Sequence, residues 1–257
     1  MSIEVARDGH VAVLTLNRPE RLNALDGDHY AALADAWKDV RDDSTIRAAV
    51  VTGSGDRSFS VGADLKSFIP DVQELGEFWL TQQGQLLNRG LEVWKPIVAA
   101  VNGYCLGGGL TLLLATDVRV AASHATFGLP EVKRGLIPAN GGTQRLVQQI
   151  PFARAMEMLL TGESIDAATA LDWGLVNRVV AKEELVDVAL DCARRIAANA
   201  PLAVQSAKEL AYRSRDVDLA TGLRLEQAMA RLLRGSADAK EGADAFSEKR
   251  PPDFTGA

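Results

Sequence analysis

The order of β-branched and helical segments most constrains the fold of this 257-residue chain. Short runs rich in Val and Ile, bounded by Gly, Pro or Asn, predict strands at 11–16, 46–53, 96–103, 117–122 and 174–180. Helical patterns lie between or beside them, at 28–41, 71–94, 107–115 and 143–149. Because strands that alternate with helices pair in parallel, this order predicts an α/β core.

The pattern changes towards the C-terminus. After residue 182 no further strand is indicated, and Ala, Leu, Glu, Arg and Lys recur at helical spacing over 182–199, 201–213, 216–234 and 238–247. We therefore expect two parts, an α/β core over 1–195 and a helical region over 196–257.

Composition argues against several classes of function. A net charge of −6 disfavours nucleic acid as a partner, because phosphate binding needs a basic surface. Cys105 and Cys192 imply no disulfide framework and are interpreted as buried small apolar residues. The longest apolar run, 110–116, falls well short of the roughly 18 residues of a membrane span, and the N-terminus lacks the apolar core of a signal peptide. We expect a cytoplasmic protein without membrane contact.

Three segments carry candidate chemistry. "SFSVGADL" (58–65) follows the strand that ends at Thr52, and "GYCLGGG" (103–109) follows the strand that ends at Val101. The third is "FGLPEVKRGLIPANGGTQRL" (127–146), which carries an acid and a glycine pair that opens a helix. Ligands of α/β sheets gather beyond strand ends, so the segments are predicted to line a site.

The glycines at 103, 107, 108 and 109 fit no common nucleotide motif. Their spacing differs from G-x-G-x-x-G, and no Lys-Ser/Thr pair follows as in a P-loop. Two interpretations remain. One is tight packing of a helix on a strand. The other is an oxyanion hole, in which one backbone N–H from each glycine-bearing loop points at the same oxygen.

Motifs follow one another along nearly the whole chain. They are "LNRPERLNAL" (16–25), "FSVGADL" (59–65), "KPIVAAVNGYCLGGG" (95–109), "FGLPE" (127–131), "GGTQRL" (141–146), "AMEMLLTGESI" (155–165), "GLVNRVV" (174–180) and "AFSEKRPPDF" (245–254). Their order and spacing resemble the crotonase superfamily, the enoyl-CoA hydratases and isomerases. The resemblance implies a spiral of ββα turns with a C-terminal helical region used in trimerisation, often as a hexamer of two trimers. It also implies an acyl-CoA substrate, a place in fatty acid metabolism, and no cofactor apart from the coenzyme A of the substrate.

The resemblance assigns roles within the three segments. The backbone N–H groups of Ala63 and Gly108 would hold the thioester oxygen as it becomes an enolate, and Glu131 would be the acid/base. From the residues alone, a loop glutamate paired with Lys133 or Arg134 is the simpler interpretation of Glu131.

Thr111 departs from the family pattern. Hydratases of the family carry a second glutamate three residues beyond the middle glycine, and that position is Thr111 here. A core hydroxyl bonded back to the carbonyl of Gly107 is the simpler interpretation. One carboxylate can still move a proton between two carbons, so isomerisation is favoured over hydration.

Other functions stay open alongside these two. Relatives with a single or altered acid act as lyases, decarboxylases or dehalogenases, and a non-catalytic acyl-CoA-binding relative is a further alternative. An RNA-binding role, known in one branch of the family, is disfavoured by the negative charge and by the lack of an aromatic and basic stripe.

The remaining site predictions concern substrate binding. By resemblance they are Arg18, Arg21, Leu22, Val61, Asp64, Leu65, Lys66, Gly107, Pro130, Asn140, Phe246 and Lys249. From the residues alone, Asn140 is a turn former and each charge is solvated surface. His10, His29 and His124 show no metal-ligand spacing, so no metal site is predicted. Trp79 and Trp94 are interpreted as packing residues on the predicted 71–94 helix.

Overall fold

The computed structural model describes residues 2–64 and 86–257. Strands in these residues form two sheets. The larger sheet has six strands, in the order β1 (Ile3–Asp8), β2 (Val11–Leu16), β3 (Ala48–Gly53), β5 (Ile97–Val101), β7 (Val118–Ala122) and β10 (Arg178–Val180). The smaller sheet has four, in the order β4 (Ser58–Ser60), β6 (Tyr104–Leu106), β8 (Thr126–Gly128) and β9 (Ser164–Asp166).

Three of the α-helices in the described residues begin at an aspartate cap. The α-helices of these residues are α1 (Gly27–Asp42), α2 (Gly108–Leu113), α3 (Gly142–Gln149), α4 (Phe152–Thr161), α5 (Ala167–Asp172), α6 (Leu185–Ala197), α7 (Pro201–Arg213), α8 (Leu219–Arg234) and α9 (Ala237–Glu248). The carboxylates of Asp26, Asp166 and Asp218 accept backbone N–H groups in the first turns of α1, α5 and α8, which satisfies donors that a helix start leaves open.

The larger sheet confirms the predicted parallel pairing. β2, β3, β5, β7 and β10 run parallel, and β1 adds an antiparallel edge. Alternate side chains enter two cores, as strand geometry requires. Val50 and Val98 pack with Ala189 of α6, whereas Val51 and Val101 belong to the larger core that the small sheet and α1 complete.

The two sheets are built by repeated ββα turns. β3, β5 and β7 each enter the larger sheet, and the next strand along the chain, β4, β6 or β8, enters the smaller one. β4, β6 and β8 are parallel, so their carboxyl ends lie at one edge of the small sheet. The segments that follow these strands therefore meet there, and they contain the three candidate motifs.

The structure corrects the predicted 71–94 helix over the part that it describes. Residues 86–94 contain only a 3-10 turn at Leu87–Arg89, because Gly90 takes φ 100° and ends it. Trp94 lies outside any helix and packs edge-to-face against Tyr212 of α7. Trp79 lies outside the described residues.

Several short elements were not predicted. β4, β6, β8 and β9 have three residues each, which is too short to show a period of two. The expected boundary at 195/196 falls inside α6, which packs on the larger sheet. Cys105 is buried as expected, whereas Cys192 is only partly buried.

The predicted C-terminal helices are present as α7, α8 and α9. Lys208 of α7 binds Asp117 Oδ2 at 2.7 Å, and the Tyr212 hydroxyl donates to Asp117 Oδ1 at 3.0 Å. Arg47 of the core donates to the carbonyl of Phe254 at 2.6 Å, so the chain end also packs on the core. Within the described ranges, every helix is too short or too polar to cross a bilayer.

Candidate active site

Two glycines allow the first two candidate loops to touch. Gly62, after β4, has φ 84°, and a Cβ at this position would clash with the backbone nitrogen of Gly108. Gly107, after β6, has φ 53°. A side chain at either position would strain the backbone, and at Gly62 it would also force the loops apart.

Two backbone N–H groups lie open where these loops touch. Ala63 forms a bridge with Leu25, but that bridge uses the carbonyl of Gly62 and the N–H of Asp64, both at 2.8 Å. Gly108 is the first residue of α2, so its N–H has no partner within the helix. Over residues 2–64 and 86–257, neither N–H has a hydrogen-bond acceptor. The two loops that carry these N–H groups are in contact, as the predicted oxyanion hole requires.

Glu131 brings the third segment to the same place. It lies in the first turn of the 3-10 helix Pro130–Arg134, and its Oε1 is 3.2 Å from the point where a Cβ on Gly107 would lie. Its Oε2 is enclosed and has no hydrogen-bond partner in the described part of the chain. Burial raises the pKa of this carboxyl, and its own backbone N–H and the Arg134 cation oppose the rise. A carboxyl in such a setting is suited to take up and return a proton.

Neither neighbouring cation pairs with Glu131. Lys133 Nζ binds Glu163 Oε1 at 2.6 Å, and Arg134 Nη1 donates to the carbonyl of Pro130 at 3.2 Å. The interpretation of Glu131 as a loop glutamate in a local ion pair is therefore wrong.

Thr111 belongs to a chain of hydrogen bonds that ends at Gly108. Asn88 Nδ2 donates to Thr111 Oγ1 at 3.1 Å, and this hydroxyl donates to the carbonyl of Gly108 at 3.0 Å. The expected bond from the hydroxyl to the carbonyl of Gly107 is wrong, since the hydroxyl turns to the carbonyl three residues earlier and that of Gly107 accepts only the backbone N–H of Thr111, at 3.0 Å, among the described residues. These hydrogen bonds constrain Gly108, whose backbone N–H is one of the two predicted oxyanion donors. Sequence reasoning missed Asn88, because it lies in a different segment that carried no motif.

Replacing the Thr111 hydroxyl with a methyl group tests the role of the hydrogen bonds that join Asn88, Thr111 and Gly108. Thr111→Val leaves the buried amide of Asn88 without its partner, which should cost about 1–3 kcal/mol in the free energy of unfolding. We also expect a lower kcat, because Gly108 loses a constraint. Thr116 provides the matched control. It lies just after the C-terminal end of α2, and its buried hydroxyl donates to the carbonyl of Leu113 at 2.7 Å. Urea titrations and turnover should show a similar stability loss in Thr116→Val with kcat unchanged. Equal losses of kcat in both variants would contradict the assignment.

Arg18 is turned into the fold beside Ala63. Its Nη1 lies 3.0 Å from Asp64 Oδ2 and 3.1 Å from Asp26 Oδ2. Asp26 also accepts from the His29 backbone N–H, and the His29 ring lowers the pKa of this carboxyl. Arg18 and Asp64 thus tie the loop of the predicted hole to the start of α1.

Leu22 and Val61 also lie beside this loop. Leu22 takes a left-handed conformation, φ 54°, and its carbonyl accepts from the backbone N–H of Val61 at 3.3 Å. The buried amide of Asn23 holds the turn through bonds to the carbonyls of Ser54 and Ser58, at 3.0 and 2.7 Å. Arg21, in contrast, is exposed.

The other predicted binding residues are more scattered. Asn140 is a turn former as its sequence context suggests, with φ 55° and a carbonyl that accepts from Arg145 at 3.1 Å. Phe246 is 87% exposed near the end of α9, which Lys249 caps with φ 56°. Leu65 and Lys66 lie outside the described residues. Roles of these residues in binding stay predictions.

The histidines bind neighbouring protein groups, as expected of structural or surface residues. His29 Nδ1 lies 2.6 Å from Asp26, His10 Nδ1 lies 2.9 Å from the carbonyl of Thr45, and His124 Nε2 lies 3.1 Å from the carbonyl of Asp56.

The profile of the family described as enoyl-CoA hydratase/isomerase matches residues 6–257. The chain belongs to this family. It is 44% identical to (E)-benzylidenesuccinyl-CoA hydratase of Thauera aromatica, over 100% of both chains. It is 40% identical to carnitinyl-CoA dehydratase of Salmonella arizonae, over 99% of this chain and 98% of that one. The crystal structure of enoyl-CoA hydratase from Bacillus anthracis is similar with a TM-score of 0.94 and 36% identity, over 100% of both chains. These likenesses confirm the expected crotonase-type fold and identify the chain as an enzyme of the enoyl-CoA hydratase/isomerase type.

Proposed function

We propose that this enzyme adds water reversibly to an α,β-unsaturated acyl-CoA, through an enolate held by the N–H groups of Ala63 and Gly108. Glu131 is the proposed acid/base. The observation that carries the proposal is the position of its half-buried carboxyl beside Gly107, the residue before α2, with one oxygen that has no partner among the described residues. The relatives named as a hydratase and a dehydratase support water addition and removal as the class of reaction.

One carboxyl can perform both proton transfers of this reaction. Glu131 removes a proton from water as the hydroxide oxygen bonds to the β carbon, and electrons move through the double bond onto the thioester oxygen. The two N–H donors stabilise that charge as it develops. The enolate then collapses, and its α carbon takes the proton that Glu131 has just accepted.

Double-bond isomerisation is the second candidate, and Thr111 favours it. A threonine cannot act as the second acid that positions water, whereas moving a proton between two carbons of the substrate needs one carboxyl. Thr111 stands at the position of the family's second acid, and among the residues that the structure describes the neutral amide of Asn88 donates to its hydroxyl.

Crotonyl-CoA and 3-butenoyl-CoA separate the two candidates. Hydration removes absorbance at the enoyl thioester band, and migration of the 3-butenoyl double bond creates it. We expect wild type to hydrate crotonyl-CoA slowly, and Thr111→Glu, where it folds, to hydrate it faster. Burial of the new carboxylate carries a desolvation cost and should raise its pKa, as should the like charge of Glu131. Crotonate and 3-butenoate serve as controls and should not react. A wild type that converts neither thioester would contradict the proposed function.

Assembly is a further part of the proposal. Leu219, Leu223 and Leu232 of α8 are exposed, at 77%, 49% and 74%. These leucines support the expectation that the C-terminal helical region takes part in a homotrimer, or a hexamer of two trimers, because apolar surface of this kind is commonly buried between subunits.

A further inference from the structure

Tyr30 of α1 places its hydroxyl at the edge of the proposed oxyanion hole. A Cβ built on Gly108 would lie 3.3 Å from Tyr30 Oη and 3.4 Å from the backbone nitrogen of Ala63. That point is one covalent bond from the Cα of Gly108 itself. The O–H of Tyr30 and the N–H groups of Ala63 and Gly108 therefore border one small volume.

The packing of α1 holds this hydroxyl in place. The backbone N–H of Tyr30 donates to the carbonyl of the capping residue Asp26 at 3.0 Å, in the first turn. The ring packs against the larger core, which Leu33 and Trp37 enter from the same helix. Spacings of three and seven residues put these side chains on one face. The hydroxyl thus lies at the end of a ring whose position is set by buried packing.

We propose that the Tyr30 hydroxyl is a third hydrogen-bond donor to the thioester oxygen, which makes Tyr30 a catalytic residue of this enzyme. The inference rests on the proposed function in one respect, that the oxygen binds at Ala63 and Gly108. The hydroxyl keeps its proton throughout, and its bond to the oxygen strengthens as negative charge develops there.

The protonation state of Tyr30 agrees with this role. Burial raises the pKa of its hydroxyl to about 12, although the nearby Arg89 cation acts in the opposite direction. The hydroxyl is therefore protonated at neutral pH and can donate a hydrogen bond. A further donor lowers the energy of the enolate, which eases proton transfer by a single carboxyl.

Tyr30→Phe is a sharp test, because it removes one oxygen atom and keeps the ring. We expect kcat for crotonyl-CoA to fall by about 10- to 100-fold, at or below the lower end of the roughly 10²–10³-fold that one oxyanion donor contributes, with KM little changed. Tyr104→Phe is the matched control. Tyr104 begins β6, at the end of that strand opposite Gly107, and is 43% exposed. This control should keep the wild-type kcat.

Bound cinnamoyl-CoA supplies a readout that does not require turnover. Polarisation of its carbonyl by hydrogen bonds shifts its conjugated absorption band to longer wavelength. We expect wild type to produce the shift, Tyr104→Phe to match it, and Tyr30→Phe to produce a clearly smaller one at saturating ligand.

The band shift also separates the two proposals. Tyr30→Phe with an unchanged shift overturns the donor role, even if kcat falls together with thermal stability, because that combination indicates packing alone. If wild type converts neither crotonyl-CoA nor 3-butenoyl-CoA, the proposed function fails, and a shift that depends on Tyr30 would still support the donor.

Discussion

Glu131→Gln is expected to lower turnover of every accepted acyl-CoA by about 10²-fold or more, in line with the contribution of a general acid–base group. The amide keeps the size of the side chain but cannot take the proton. Affinity for the CoA thioester should change little, because the N–H groups of Ala63 and Gly108 are untouched. Turnover and calorimetric titration measure the two quantities separately.

The same substitution should not weaken the fold. Burial raises the pKa of Glu131 above its value in the unfolded chain. At low pH the carboxyl is protonated in both states. As the pH rises through the raised pKa, the folded state must hold a buried charge and loses stability relative to the unfolded chain. Glu131→Gln removes that loss, so its urea midpoint at neutral pH should equal or exceed that of wild type, with the difference vanishing in acid.

Activity of wild type should fall as the pH drops through the raised pKa of Glu131, because the base becomes protonated.

Glu163→Gln is the matched control for Glu131→Gln. Glu163 is an exposed glutamate that pairs with Lys133, and Lys133 is two residues from Glu131 in the sequence. Surface pairs of this kind contribute about 0–1 kcal/mol, and the variant should retain full turnover. An unaltered rate in Glu131→Gln would show that another group handles the proton.

Gly108→Ala should abolish most activity, with an expected loss of about 10²–10³-fold in kcat. The backbone of Gly108 lies outside the left-handed region, and the added methyl would meet Gly62 Cα at 3.1 Å and the backbone nitrogen of Ala63 at 3.4 Å. Small shifts of these neighbours can accommodate it, so we expect a stability loss of at most about 2 kcal/mol. The methyl nevertheless enters the space between the two N–H groups, where the thioester oxygen is proposed to bind.

Gly222→Ala separates this effect from a general response to a larger residue. Gly222 lies in α8, and an added Cβ would have Val217 Cγ2 as its nearest neighbour, at 3.7 Å. Alanine at an open helical position should stabilise the chain by about 0.5–1 kcal/mol and leave kcat unchanged. Wild-type turnover in Gly108→Ala would show that the substrate oxygen binds elsewhere.

The order of elements follows from local sequence patterns. β2, β3, β5 and β7 appear where β-branched runs predict strands, and α7 begins and ends at the predicted residues. These patterns are readable because burial of one or both faces imposes a period on five or more residues in a row. The three-residue strands of the smaller sheet carry no such signal, although they bring the site together.

The sequence by itself determined the parallel core, the C-terminal helices, the family resemblance and the choice of Glu131 as the candidate base. Only the tertiary structure decided that this carboxyl is free of Lys133, that Thr111 pairs with Asn88, and that the Tyr30 hydroxyl reaches Gly108. The physical reason is that helices and long strands are specified by periodicity within one segment. Contacts at the site depend instead on which strand ends meet at one edge of the smaller sheet, and that is settled by packing between segments far apart in the chain.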